Sequence, residues 1–486
     1  MTATQALADS LGWYRRHQLT AGALFWMPTS FLFLLEQYGL RSALGVQAIY
    51  YAAVVLLEVP SGWFSDQLGR VLTMRLVAVW WLIAHLLFVV SPGTVGLIGV
   101  AIAQIFLAAG YAFLSGTDVM LHFDTLEALG RADEFDDREA RSRRGLLGVT
   151  AVTALIGGAV GLVDLRLPFL LSLCAAAVQF LVTLRLVEPP KADAADRPTS
   201  RSPIDFGRDL VATTRQFGER PLGWIGIYVV AQVVTVHLAA ELTGPYLTEV
   251  LGSGLVEPRS AALATGATAA AVALIGAAVV PAVPKLARRI GLTATLIGAA
   301  AIPVGLLTMM AATTTALLVP LLAFRGVQGA TAAVLVPRVV GGHVRQERRA
   351  TFLSMTSLGG RLAYGGALVL LAAVGGVGLD RGLLLATTLS LVLFTLVVAG
   401  YPVLARGTVG LQHEHEHEHV AHTHDHTHVH RDPGDDGHHD HSHNPPFVGV
   451  HRHEHNHEPV RHSHAHTADS HHRHDHGHPH SHDSRS

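Results

Sequence analysis

Residues 62 to 70 read Gly62-Trp-Phe-Ser-Asp66-Gln-Leu-Gly69-Arg70, a short polar stretch between two apolar runs at 43–63 and 71–90. Each run is long enough to cross about 30 Å of hydrocarbon as a helix. Gly62 and Gly69 permit a tight turn and close approach of the flanking helices, so the stretch predicts a helical hairpin that turns at a membrane surface. Arg70 and Arg75 anchor that turn at an anionic leaflet, and Asp66 can meet the positive end of a neighbouring helix dipole. The pattern returns in the second half of the chain. Pro284-Lys-Leu-Ala-Arg-Arg-Ile-Gly291 closes on a glycine with the same eight-residue spacing, after the apolar run 260–282. Corresponding turns in corresponding places indicate duplicated halves.

Working outward, hydropathy with Gly, Pro and charge clusters as punctuation predicts spans near 19–36, 43–63, 71–90, 95–119, 145–163, 167–187, 221–242, 260–282, 291–311, 315–336, 351–375 and 382–404. The fold class is therefore an all-α membrane protein of about twelve helices in two pseudo-symmetric six-helix halves, 1–187 and 221–405. Composition agrees: 50% of the 486 residues are apolar and only 15% charged, against roughly 25% charged in soluble domains. The segment 188–220, with Pro189-Pro190 and an Ala/Asp run, reads as a polar linker that neither spans nor folds alone. The polar start of the chain has no apolar signal core, so the first helix is expected to stay in the mature protein. A lone cysteine, Cys174, excludes an intramolecular disulfide.

Basic residues set the expected sidedness. With the N-terminus inside, 24 of the 35 lysines and arginines fall in cytoplasmic segments, and only Arg41, Arg166, Arg259 and Arg381 fall outside. That bias places both termini in the cytoplasm of a cell inner (plasma) membrane. A formal charge of −2 gives no basic field for nucleic acid. The two lysines, Lys191 and Lys285, close no phosphate-cradling Gly-rich loop, so transport would draw on an ion gradient, with protons the expected coupling ion. No nucleophile and base arrangement suggests an enzyme, and no cofactor is required.

The 62–70 stretch resembles the signature loop between the second and third helices of the major facilitator superfamily, with Phe64 and Ser65 in place of the usual leucine and alanine. Glu58-Val-Pro-Ser-Gly62, the stretch Ser115 to Leu126, and Arg349-Ala-Thr-Phe-Leu-Ser-Met-Thr-Ser resemble a largely prokaryotic branch of it. The resemblance covers about residues 10–405 and implies that Gly62, Asp66, Gly69 and Arg70 belong to a latch that gates alternating access. The fifth span, Ala154-Leu-Ile-Gly157-Gly-Ala-Val-Gly161, lacks the glycine-proline motif of the superfamily's drug-proton antiporters.

Ionisable residues within spans cost about 2.5–3.5 kcal/mol on insertion scales and are functional candidates by default. His237 and Glu241 are four residues apart and share a helix face, fit to ligate a divalent cation, relay protons or simply hydrogen-bond locally. Glu36, at the corresponding end of the first span, would join them in an acidic site or lie solvated at a helix end. His85 in the third span is a ligand or a satisfied buried histidine. Asp118, His122 and Asp124 follow the fourth span and either receive a cation or serve the latch, with Asp124 expected to pair with an arginine. Arg325 needs either a neutralising acid or an anionic substrate, and Arg361 is expected to pair with Glu58.

Of the 32 histidines, 27 lie between His413 and His482. The tail 406–486 alternates histidine with other residues, as at His413, His415, His417 and His419, then His422, His424, His426, His428 and His430, then His451, His453, His455 and His457, and finally His474, His476, His478 and His480. Neutral imidazole ligates Zn, Ni, Co and Cu ions, so the tail is expected to bind divalent metal and to be disordered without it. The leading expectation is proton-coupled efflux of a divalent transition metal, with the tail as collector. The alternatives are efflux of a small organic molecule with Arg325 on an anionic group, and a membrane-tethered metal sink or sensor.

Overall fold

The computed structural model describes residues 3–190, 220–252, 257–344, 346–375, 378–401 and four stretches of the tail. Within them the hairpin at 62–70 is two helices meeting at Gly69. Helix α1 spans Ala3–Ala21, α2 Ser30–Leu68, α3 Arg70–Val90, α4 Leu97–Leu114, α5 Thr117–Ala128, α6 Phe135–Gly161 and α7 Leu167–Thr183. The second half holds α8 Arg220–Val250, α9 Ala262–Val279, α10 Val283–Ile290, α11 Leu292–Ala312, α12 Gly326–His343, α13 Gln346–Leu370 and α14 Leu379–Gly400. The linker expected at 188–220 falls mostly on 191–219, outside the described residues.

The duplicated turns have the same backbone. Gly69 sits at φ 92°, ψ 151° and Gly291 at φ 88°, ψ 150°, each ending one helix and opening the next. Positive φ at an extended ψ strains any residue with a Cβ, which accounts for the glycine that closes both eight-residue motifs. At the first turn the carboxylate of Glu188 takes hydrogen bonds from the amides of Arg70 (2.9 Å) and Val71 (2.7 Å). It thereby satisfies two free N–H groups of α3 and meets the positive end of its dipole. Glu188→Ala is expected to lower stability by about 1 kcal/mol, seen as a drop of a few degrees in Tm in a fluorescence melt of the purified protein.

Among the described residues, ten helical stretches are long and apolar enough to cross a membrane, and they correspond to ten of the twelve predicted runs. The exceptions are the first and the sixth. The sixth forms a helix of only 17 residues, Leu167–Thr183. The first run, predicted as a continuous helix over 19–36, is broken between α1 and α2. Pro28 lacks an N–H and clashes with a helical turn before it, and the freed backbone groups find partners on neighbouring helices. The Trp26 amide donates to Ser172 Oγ at 3.2 Å, and the Gly22 carbonyl accepts from Thr150 Oγ1 at 3.0 Å. Irregular backbone at membrane depth is tolerated where protein buries it in this way. A second bend, at Gly39 with φ 73°, folds the chain back so that α2 carries both the end of the first run and the whole of the second.

The halves meet through α2 against α13 and through α6 against α9. The α6–α9 seam is made of small residues. A Cβ at Gly266 would lie 2.4 Å from the Ala154 carbonyl oxygen, and one at Gly158 2.8 Å from that of Ala262. Close approach of this kind drives helix association in lipid, where apolar burial gives little. On the outside, Leu56, Ile98, Val163, Leu317 and Leu362 are exposed, an apolar surface suited to hydrocarbon.

Gly410–Ser486 forms a separate unit. Its described residues are strands β1 Gln412–His419, β2 His422–His430, β3 Gly449–His457 and β4 Val460–Thr467, with β1 antiparallel to β4 and β2 antiparallel to β3. Alternation with a period of two, read in the sequence as a metal-binding pattern, is also the period of a strand.

Candidate functional site

The polar centre of the bundle is built on α2, α4 and α8. Glu241, on α8 in the second half, accepts a hydrogen bond from Gln47 Nε2 on α2 in the first half, at 2.6 Å. Gln47 in turn accepts from Gln104 Nε2 on α4 at 2.9 Å. One turn earlier on α8, His237 Nδ1 bonds the Val233 carbonyl at 2.7 Å, and its ring sits among tyrosines, 5.9 Å from Tyr51 of α2 and 5.1 Å from Tyr364 of α13. Tyr51 and Tyr364 meet edge to face at 4.6 Å. His237 and Glu241 are half-buried. The result is a tyrosine-walled site that straddles the two halves, with one carboxylate and one imidazole in it.

Two ion pairs tie helices together elsewhere in the bundle. Arg361 of α13 pairs with Glu58 of α2, a second link between the halves. Arg70 pairs with Asp124 and also donates to the Met120 carbonyl at 2.7 Å, tying the start of α3 to α5 within the first half. Of the other residues expected to form a latch, the backbone at Gly62 and Asp66 is helical, and their side chains lie outside the described part.

The remaining predicted residues are dispersed. Glu36 is exposed just before the Gly39 bend, where the charges acting on it include Arg259, Asp164 and Arg166. Asp118 and His122 are buried in a polar cluster with α1 and α6. Gln18 Nε2 donates to Asp118 at 2.8 Å, Tyr14 Oη donates to Glu139 at 2.9 Å, and His122 Nδ1 lies 2.9 Å from the same Glu139 oxygen. Tyr14 stacks on His122 at 4.2 Å between ring centres. Arg325 closes a 3₁₀ segment and donates to Thr243 Oγ1 (2.5 Å) and the Ala239 carbonyl (3.4 Å). Residues 239 and 243 lie nearly opposite 241 around a helix of 100° per residue, so Arg325 pins its helix to the far face of α8 from Glu241. His85 is buried on α3, with Nδ1 2.6 Å from the Trp81 carbonyl.

No group of three or more His, Cys, Asp or Glu among the described side chains is placed to hold a metal ion. In the tail the strand register sets His413 opposite His466, His415 opposite His464 and His417 opposite His462. It likewise sets His422, His424, His426 and His428 opposite His457, His455, His453 and His451. His419 and His430 face Val460 and Gly449, and His474, His476, His478 and His480 lie outside the described residues.

Gln47, Gln104, Tyr51, Tyr364, Tyr14 and Glu188 carry much of this arrangement without having been singled out in the sequence. A search confined to charged residues and histidines within the predicted spans passes over the glutamines and tyrosines, and Glu188 lies just beyond the span predicted at 167–187. Glutamine within an apolar run, which likewise needs a partner in hydrocarbon, is the signal that finds Gln47 and Gln104.

A family model described as Major Facilitator Superfamily matches residues 145–368. No curated protein matches the sequence. Among solved structures, the nucleoside transporter NupG is similar with a TM-score of 0.63 at 13% identity, over 81% of this chain and 99% of that one. A D-xylose-proton symporter is similar at 0.55 and 14%, over 81% and 96%. A bacterial homologue of the iron transporter ferroportin in an inward-facing state is similar at 0.54 and 15%, over 82% and 99%.

Proposed function

We propose that this chain is a multi-pass membrane transporter of the major facilitator type and a proton-coupled carrier of a small organic solute, with Glu241 as the coupling acid. The observation that carries this reading is the Gln47–Glu241 hydrogen bond between the halves, set among Tyr51, His237 and Tyr364. Alternating access requires contacts between halves to break and reform, and a carboxylate in the membrane changes its tolerance for hydrocarbon when it takes up a proton. Tyrosine rings offer flat apolar faces with a polar edge, which suits an organic solute better than a bare cation. With the termini cytoplasmic, Glu241 lies in the outer half of the membrane, and the latch around Arg70 and Asp66 faces the cell interior. The reading is tested in proteoliposomes loaded with a pH-sensitive dye and offered nucleosides, sugars, amino acids and peptides in turn. Solute-dependent proton movement supports it; a protein that moves metal ions and no organic solute overturns it.

The tail favours a second reading, efflux of a divalent transition metal, through the seven His–His rungs of its register. Directly opposed residues of an antiparallel pair have Cβ atoms about 4.5–5.5 Å apart, within reach of one metal ion between two imidazoles. A polar two-stranded ribbon is marginal in water alone, so metal is what would hold it. In a Cys174→Ser background, Glu416→Cys with Ser463→Cys occupies opposed positions, whereas Glu416→Cys with Arg461→Cys is offset by two residues. Ni²⁺ is expected to accelerate disulfide formation in the first pair alone; equal rates in both would show that this pairing does not form. Cellular metal content with intact and tail-deleted protein tests the transport itself.

A further inference from the structure

Glu58 and Arg361 join the two halves by an ion pair set within apolar helices of spanning length. Glu58 lies about two helical turns along α2 from Tyr51, and Arg361 about one turn along α13 from Tyr364, the two rings that meet at the central site. The pair is thus a neighbour of that site. Its charges reach the site's wall, since Arg361, Glu241 and Glu58 all act on Tyr50, and Arg361 acts on His237. Neither side chain is sealed. Arg361 keeps 31% of its side-chain surface accessible and Glu58 16%. Among the described residues the Arg361 guanidinium, which has five N–H donors, bonds Glu58 alone.

The first half supplies the carboxylate and the second the guanidinium, so the pair breaks in any motion that parts α2 from α13. Parting it leaves two uncompensated charges in the membrane, each of them costly. A lone anion would satisfy Arg361 and strand Glu58, and a lone cation would do the reverse. A zwitterion satisfies both. Its carboxylate accepts from the fork of guanidinium donors and its ammonium donates to Glu58, so one ion pair becomes two with no change in net charge. We infer that the solute is a zwitterion, an amino acid or short peptide, which enters between Glu58 and Arg361 and bridges the halves, with its ammonium on Glu58 and its carboxylate on Arg361. The tyrosine rings one to two turns away offer its side chain an apolar wall. The inference deepens the organic-solute reading of the central site and rests on it.

The test reads binding in detergent, with no proton gradient. The purified full chain is melted at mildly acidic pH, where α-amino groups are charged, with amino acids and dipeptides as probes. Each is offered as the zwitterion, as the C-terminal amide, a cation, and as the N-acetyl derivative, an anion. At least one zwitterion is expected to raise Tm, with an apparent affinity at least about tenfold above both of its singly charged derivatives. Glu58→Gln leaves Arg361 as the sole charge and should turn the preference to the N-acetyl anion, whereas Arg361→Gln should turn it to the amide cation. A pair that only holds helices together would lower stability in both variants and move neither preference. No stabilisation by any zwitterion, equal stabilisation by all three forms, or an unmoved preference in the variants overturns the inference. Should one variant not fold, the other decides; should neither fold, the discrimination by the parent does. A sugar or nucleoside that drives proton movement in proteoliposomes, with no zwitterion bound, overturns this inference and leaves the proton-coupled reading standing. Zwitterion binding without solute-dependent proton movement counts against that reading alone.

Discussion

Glu241→Gln is expected to leave the carrier folded and able to exchange solute across the bilayer, yet unable to drive net transport with a proton gradient. The amide oxygen of glutamine still accepts from Gln47 Nε2, so the 2.6 Å link between the halves keeps its geometry. What is lost is the change of charge. The difference between an ionised and a neutral side chain in the membrane is about 2.5–3.5 kcal/mol on insertion scales, which corresponds to a population bias on the order of 10²-fold between alternating states. Gradient-driven accumulation should fall by about that factor, measured in dye-loaded proteoliposomes, while equal-concentration exchange persists. Retained gradient-driven accumulation would remove Glu241 from the coupling mechanism.

The largest structural effect is expected at the seam between the halves. Gly266→Val places a Cβ 2.4 Å from the Ala154 carbonyl oxygen and 3.0 Å from the Gly158 Cα, both backbone atoms that no side-chain rotation can move aside. Overpacking of this kind costs about 3 kcal/mol or more when backbone must shift. The variant should be poorly produced, heterogeneous on size exclusion, and melt well below the parent. Gly298→Ala, in α11 with nothing within 4 Å of the added Cβ, serves as the control and should melt at or slightly above the parent, since alanine favours the helix. A Gly266→Val protein that behaves like the parent would mean that α6 and α9 do not meet this closely.

The contrast between these two positions shows what was legible in the sequence. The eight-residue spacing to Gly69 and to Gly291 announced a duplicated fold, because a positive φ at a turn selects glycine and leaves a mark that can be counted. The apolar runs announced their helices for the same reason: hydrocarbon thickness is a length, and length is visible. The break after Gly22 was not read, although Pro28 sits in it, because the run stays apolar through the break and hydropathy is blind to backbone path. His237 and Glu241 were picked out by their cost in lipid, but their neighbours were not. Gln47 and Tyr51 come from a helix nearly two hundred residues away, and no local pattern ties them to α8. For Arg325 the sequence leaves open an acid or an anionic substrate as its answer, and no local pattern points to the Thr243 hydroxyl and Ala239 carbonyl of α8 that it meets.

Glu188 has a consequence beyond holding the first turn of α3. It stands at the end of the last described stretch of the first half, which closes at residue 190. The chain leaves the first half through the clasp between Glu188 and the amides of Arg70 and Val71. The same arginine grips Asp124. One short stretch of backbone at the start of α3 thus anchors both the exit of the first half and the contact to α5.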